Sequence, residues 1–276
     1  MSPAFNAPRF DDGACTASAR CTASDLLRWA GLPALADGQS DTVVFPMRRV
    51  RARKVLIHEG QPFEALHVVA SGSFKAVQTD LEGYEQVLGF AIHGDFLGLD
   101  GLGQPRHHCA AVALEDATVV SIPFRELLAW GRSVPALESL LHHAAGVELQ
   151  RRADTQYLMS APSSEVRVVR FLLQAARRQA AIGQSERRLR LRMTRRDIGS
   201  YLGVAHESVS RALTALAQDG CVRVLQREIE LCNLPMLLEL QRVTRGRTAA
   251  DRHAQTHATT ARDGAAPTAR AQAIWH

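Results

Sequence analysis

The amino-acid sequence predicts an α+β chain in three parts: an antiparallel β-roll of the jelly-roll kind, a long helix, and a helical unit closed by a β-wing. Three observations predict it. Short apolar–polar alternations recur over 40–123 with turn residues about every ten positions. The period then lengthens to that of a helix, from Pro135 to about Met159. Between Thr194 and Gly220 two short amphipathic helices flank a Gly turn, and two short β segments follow.

Residues 1–37 form an N-terminal segment with Cys15 and Cys21, irregular except for a short helix over Asp25–Leu35 with Leu26, Leu27 and Trp29 inward. Residues 38–131 form the β-roll. Its strands centre on Val43–Phe45, Val55–Ile57, Leu66–Val69, Phe74–Val77, Val87–Phe90 and Thr118–Ile122, with Gly60, Ser71-Gly72, Gly83 and Gly94-Asp95 as turns. Residues 132–161 form the long helix. Pro135 suits its first turn, because proline has no N–H to leave unpaired there. Along it Leu140, Ala144, Val147, Arg151, Asp154 and Leu158 are spaced 4, 3, 4, 3, 4, the pattern of a coiled-coil seam. Ala161-Pro162-Ser163-Ser164 breaks this helix. Residues 162–240 form the third unit: an amphipathic helix over Val166–Ala180, an edge strand over Arg187–Arg192, the helix pair, and β segments at Cys221–Leu225 and Ile229–Leu231. Residues 241–276, rich in Ala, Thr, Arg and His, have too little apolar surface to order themselves and read as a disordered tail.

Composition bounds the function. The 276 residues are 46% hydrophobic, enough for about two cores. The apolar runs are too short to cross a bilayer, and the N-terminus has no basic start with an apolar block, so no membrane partner is expected and the cytoplasm is. The net charge is +5, and it is unevenly placed: Ser163–Glu230 holds 13 Arg against 7 acids. A basic unit beside a near-neutral one is what phosphate neutralisation asks for. Five Cys in a chain without an export signal do not make a disulfide framework. Nothing marks an enzyme: no nucleophile–base arrangement, P-loop or GxGxxG is found, and the glycines punctuate strands.

The helix pair carries the function. Thr194 and Asp197 form a capping box. Gly203 supplies the turn, Val204 plugs the angle between the helices, and Val209, Leu213 and Leu216 line the buried side of the second helix. Gly220 stops it. Such a motif offers the N-terminal part of its second helix to the major groove of double-stranded DNA. Those residues are His206, Glu207, Ser210 and Arg211. The fork of Arg211 matches guanine O6 and N7, and Glu207 can accept from a base amino group. Thr194 and Arg195, at the mouth of the motif, complete the candidate DNA-binding set.

With TRRDIGSYLG…ESVSRAL, HVVASGSFKAV and GFAIHGDFLGLDGL in this order, the chain resembles the cyclic-AMP receptor / FNR family of bacterial regulators over about residues 38–240. The resemblance implies a cyclic-nucleotide-binding-like sensor roll, a dimerisation helix carrying the seam above, a homodimer, and a winged helix-turn-helix that activates transcription through RNA polymerase. The triplet Glu207, Ser210, Arg211 resembles that of the FNR branch, which implies TTGAT-type palindromes. Cyclic AMP is not expected, because Leu99 and His107-His108 stand where the cyclic-AMP branch has the Glu and the Arg-Ser pair that hold the nucleotide. The FNR branch further implies an iron–sulfur cluster and a response to oxygen or redox state. The available set is Cys15, Cys21, Cys109 and Asp12, with Ser121 at the usual ligand position in the roll. The alternative is a regulator that senses haem, nitric oxide or a nucleotide bound in the roll. The resemblance also places at Asp154 an acid that opposes dimerisation. Cys221 and Cys232 read as small buried residues, and the His107-His108 and His142-His143 pairs as structural or solvated histidines rather than a metal site.

Overall fold

A computed structural model describes residues 20–33 and 42–242. Asp12, Cys15 and the expected C-terminal tail beyond residue 242 lie outside the described residues.

The chain opens with β1 (Arg20–Thr22) and α1 (Ala23–Trp29), whose Thr22 and Asp25 close a capping box. The helix therefore starts two residues earlier than its apolar pattern marks, at its cap. The roll follows: β2 (Val44–Val50), β3 (Val55–Ile57), β4 (Ala65–Ser71), β5 (Phe74–Thr79), β6 (Glu85–Ala91), β7 (Phe96–Leu97), a 3-10 turn over Leu99–Gly103, β8 (Ala110–Ala113) and β9 (Ala117–Pro123). Two antiparallel sheets result, ordered β1-β2-β9-β4-β7 and β3-β8-β5-β6. Alternation along β9 explains the two cores beside them. Val119 points between the sheets with Leu56, Val69 and Phe74, whereas Val120 and Ile122 point to the other face, where α1 and the helices after the roll cover it. Covered on both faces, β9 carries buried residues on each side rather than a clean polar alternation.

After the roll come α2 (Phe124–Gly131) and α3 (Pro135–Met159). The third unit holds α4 (Ser164–Ala181), β10 (Arg188–Arg190), α5 (Arg195–Leu202), α6 (His206–Gln218), β11 (Val222–Leu225), β12 (Glu228–Leu231) and α7 (Leu234–Leu240). Its sheet runs β10-β12-β11 and forms the wing.

Of the expected seam, Val147, Arg151 and Asp154 are half-buried within the single chain. Leu140 is buried in the roll-side core and Leu158 in the core of the third unit. Ala144 is buried as well, and Arg151 turns to Asp95 of the roll. This side of α3 is covered by its own chain. At 100° per residue the opposite side is lined by Leu149, Ala153 and Tyr157, all exposed; Leu149 retains 69% of its accessible surface.

The roll and the third unit are docked. Val77 and Val87 of the β5–β6 hairpin pack into the core of the third unit. Phe90, Phe171 and Tyr201 form a ring cluster, with Phe90 and Tyr201 centroids 5.2 Å apart. Lys75 Nζ donates to Asp197 Oδ1 at 2.8 Å, Val87 N donates to Ser200 Oγ at 2.9 Å, and Ser200 Oγ donates to the Glu85 carbonyl at 3.1 Å. Arg192 pairs with Glu115 at 2.9 Å.

Candidate nucleic-acid interface

The interface is built on three local devices. Thr194 caps α5: its hydroxyl accepts from Asp197 N at 3.1 Å and donates to Asp197 Oδ2 at 2.6 Å, while Thr194 N donates to the same oxygen at 2.9 Å. The hydroxyl of Thr194 is thus committed to the cap. Gly203 ends α5 at φ +61°, a left-handed conformation that costs glycine least. Its neighbour Val204 is half-buried against the core, as a plug must be. Gly199 is the device that pattern reading missed. A Cβ there would sit 2.7 Å from the Val204 carbonyl and 3.3 Å from His206 Cα, so only glycine lets the start of α6 lie this close to α5.

Helix α6 is clamped from behind and open in front. Val209, Ala212, Leu213 and Leu216 are buried. Burying each of the larger three contributes about 1.5–3 kcal/mol. Glu207, Ser210, Arg211 and Thr214 form the exposed line, at i, i+3, i+4 and i+7, and His206 is exposed at the start. Ser210 Oγ donates to the His206 carbonyl at 3.1 Å, and Thr214 Oγ1 to the Ser210 carbonyl at 3.0 Å, which leaves both oxygens as acceptors toward the groove. His206 Nε2 lies 3.2 Å from Glu207 Oε1. Thr214, one turn beyond the triplet, was legible from the helical spacing. Arg195 is half-buried in a cleft shared with Ser210, Leu213, Thr214 and Val224, between α5, α6 and the wing. Burial holds its pKa below the usual arginine value, and the guanidinium flanks the reading face.

Asp197 joins this motif to the roll. Burial pushes its carboxyl up, but hydrogen bonds from Lys75 and from the Thr194 hydroxyl and amide outweigh that and hold it below the ordinary carboxylate value.

The loop at the mouth of the roll has its own internal anion. Asp100 receives His107 Nδ1 at 3.1 Å and the backbone N–H of His108 at 2.7 Å. His107 is buried and meets Phe63 edge-on at 5.5 Å, so it is a structural histidine. Arg106 donates to the Gly60 carbonyl at 2.7 Å. Asp100 thus takes the His107 ring and His108 backbone donors, and one Arg106 N–H goes to Gly60.

The cysteines separate. Cys21 is buried in the roll-side core, where burial and then Asp25 push its thiol up to about 12. Burial and then Asp100 push Cys109 up to about 12. Ser121 Oγ sits 3.0 Å from His67 Nδ1. Cys221 is buried, but Cys232, expected inside, is exposed beyond the end of β12. Among the described residues no group of three or more His, Cys, Asp or Glu is placed to hold a metal ion.

Comparison with known proteins places these features. Residues 166–240 match the model of a Crp-like helix-turn-helix domain, and residues 47–131 that of a cyclic nucleotide-binding domain. The transcriptional regulatory protein btr of Bordetella pertussis is 35% identical over 210 residues, 76% of this chain and 87% of that protein. The chain belongs to the Crp/Fnr family of transcription regulators. The fumarate and nitrate reduction regulatory protein of Escherichia coli is 32% identical over 207 residues, 75% of this chain and 83% of that one. The solved structure of FixK2 from Bradyrhizobium japonicum is 32% identical and superposes with a TM-score of 0.65, covering 73% of this chain and all of that one. Like other Crp/Fnr proteins, the chain is an FNR-like DNA-binding transcription regulator and not an enzyme. No helix among the described residues is long and apolar enough to cross a membrane.

Proposed function

We propose that this regulator works in the cytoplasm as a homodimer that reads TTGAT-type palindromes and recruits RNA polymerase. The observation that carries the reading is the open line Glu207–Ser210–Arg211 on a helix fixed from behind by four buried residues. Arg211 contacts guanine, Glu207 accepts from a base amino group, and Ser210 accepts at a base edge or lies against a phosphate. Arg195 neutralises a phosphate beside the groove; Thr194 acts by holding the start of α5. The second copy joins along α3 on the Leu149, Ala153 and Tyr157 side, with Val147 and Asp154 at its margin. Asp154 accepts from Gln150 Nε2 at 3.0 Å and is not relieved by Arg151, which serves Asp95. Its charge therefore weakens the pairing.

An oxygen or redox response would rest on an iron–sulfur cluster held by Cys15, Cys21, Cys109 and Asp12. Cluster iron takes thiolates. Cys21 is buried in the roll-side core, Cys109 Sγ lies 3.7 Å from Asp100 Oδ2, and among the described residues no three His, Cys, Asp or Glu are placed to hold a metal ion, which speaks against such a cluster. Cyclic AMP does not fit the loop that Asp100 already fills.

Fluorescence anisotropy with a labelled TTGAT palindrome tests the DNA reading. Affinity should exceed that for a scrambled duplex, and log Kd should rise linearly with log salt as several phosphates are neutralised. Equal affinity for both duplexes would sink it. Anaerobic reconstitution with iron and sulfide tests the cluster. A colourless protein that binds DNA equally with and without air is expected, and an oxygen-sensitive visible band would overturn that expectation.

A further inference from the structure

Two cysteines take no part in the DNA reading or in the set considered for a cluster: Cys221, after the end of α6, and Cys232, after the end of β12. The register Arg223↔Glu230, Val222↔Leu231 runs one step further and sets Cys221 opposite Cys232. Cys232 N donates to the Cys221 carbonyl at 2.9 Å, whereas Leu231 N turns the other way, to the Arg187 carbonyl at 2.7 Å. The hydrogen bonds thus alternate as in an antiparallel ladder, and the cysteines stand at a hydrogen-bonded position. Opposed residues of that kind lie about 5.5 Å apart at Cα. Disulfides most often span a Cα separation of about 5.5–6 Å. The backbone therefore already holds the pair at bridging distance. Each sulfur rests on a carbonyl two residues back: Cys221 Sγ donates to Asp219 O at 3.9 Å and Cys232 Sγ to Glu230 O at 3.7 Å. A thiol is a weak donor, so turning the side chains toward each other costs little.

The two sulfurs differ in access. Cys232 is exposed and Cys221 is buried. Burial first, then Asp219, Glu165 and Cys232, push the Cys221 thiol up, which makes it inert toward an oxidant in solution. An exposed thiol beside a buried partner divides the work as an attacked and a resolving cysteine do. We propose that Cys221 and Cys232 are a thiol–disulfide site at the base of the wing, converted by hydrogen peroxide. The Cys232 thiolate attacks one peroxide oxygen, the O–O bond breaks, and the departing hydroxide takes a proton to become water. Cys232 is left as a sulfenic acid. The Cys221 sulfur then attacks the Cys232 sulfur, the S–O bond breaks, and the second hydroxide leaves as water with the Cys221 proton. Two thiols lose two electrons in all, and one peroxide becomes two waters. Cys221 N donates to the Leu216 carbonyl at 2.9 Å, and the Cys221 carbonyl also accepts from Asn233 N at 3.1 Å, where Asn233 caps α7. The bridge thus puts the exit of α6, the base of the wing and the start of α7 on one covalent frame, and leaves Glu207, Ser210 and Arg211 facing outward.

Mass spectrometry of the full chain tests this. The reduced protein is treated with equimolar hydrogen peroxide, alkylated with iodoacetamide in urea, and cut with trypsin at Arg223 and Arg227, which lie between the cysteines. Peptide 212–223 should appear linked to peptide 228–242, and dithiothreitol should separate them. The thermal unfolding midpoint should rise with the bridge and fall back on reduction. Cys221→Ser should leave Cys232 as a sulfenic acid that dimedone traps. Cys232→Ser, a change at an exposed position, should leave Cys221 fully alkylated after peroxide and the midpoint unmoved by it. The proposal fails if both cysteines of the natural chain stay alkylable after peroxide. It fails too if Cys232 joins another cysteine, if it goes on to a sulfinic acid while Cys221 stays free, or if the bridged chain melts as the reduced one does.

Discussion

At the scale of single residues, Arg211 and Gly199 show two ways in which one side chain decides function. Arg211 is exposed on the reading face, and its nearest polar contact is Ser208 Oγ at 3.5 Å, so its fork is available to a base. Arg211→Ala should cost about 1–3 kcal/mol at the guanine position and little elsewhere, read by competition among single-base variants of the palindrome. A loss spread evenly over all sequences would make it a phosphate contact instead. Gly199 acts through shape. Gly199→Ala drives a methyl group into the Val204 carbonyl and should destabilise the third unit by about 2–3 kcal/mol. Gly203→Ala meets nothing closer than 3.6 Å and pays only the left-handed backbone strain, about 1 kcal/mol. Urea unfolding of both variants checks the order, and equal costs would refute the close-approach argument.

At the scale of elements, legibility follows how local the cause is. Pro135 opens α3 and Met159 closes it, as expected, because a proline start and an Ala-Pro-Ser-Ser break are written in adjacent residues. The same holds for the cap at Thr194 and the turn at Gly203. Strands β1, β7 and β8 were not foreseen. They are two to four residues long, and Ala110–Ala113 lacks any period of large and small side chains. Cys232 reads as buried by composition, yet it follows the last residue of β12, where the sheet no longer covers it. The spacing of Leu140, Ala144 and Leu158 is local, whereas whether such a stripe packs on its own roll or on a second copy is a long-range fact. Leu149→Glu should turn the dimer into monomers in sedimentation, with the single-chain fold kept because Leu149 is exposed. Asp154→Ala should tighten the dimer. A dimer indifferent to Leu149→Glu would return the interface to the Val147 side.

For the molecule as a whole, one imidazole, His67, and one carboxyl, Asp197, set the order in which acid loosens the parts. His67 lies in the five-stranded sheet, against Ser121. Burial first, then the charge of Arg48 and His107, push its pKa down to about 4 from an ordinary 6.5. The folded roll therefore prefers neutral His67, and the unfolded chain binds the extra proton. Stability should be flat above pH 6.5, fall by on the order of 2–3 kcal/mol between pH 6.5 and 4, and level off below. The docking of the roll on the DNA-binding unit behaves differently. Asp197 is held below its ordinary value, so what it contributes is fully present above about pH 4 and is lost as pH falls through that depressed value. Through the whole His67 window the Lys75–Asp197 pair thus stays charged and the units stay docked while the roll weakens. Thermal unfolding from pH 8 to 4 should keep a single transition whose midpoint falls below pH 6.5, and His67→Gln should flatten that fall. Lys75→Met should instead split the transition in two at neutral pH, because it removes the tie that acid cannot reach there. A Lys75→Met protein that still unfolds in one step at pH 7 would place the coupling in the Phe90, Phe171 and Tyr201 cluster, the hydrogen bonds of Ser200 and the Arg192–Glu115 and Arg178–Asp95 pairs rather than in Lys75–Asp197.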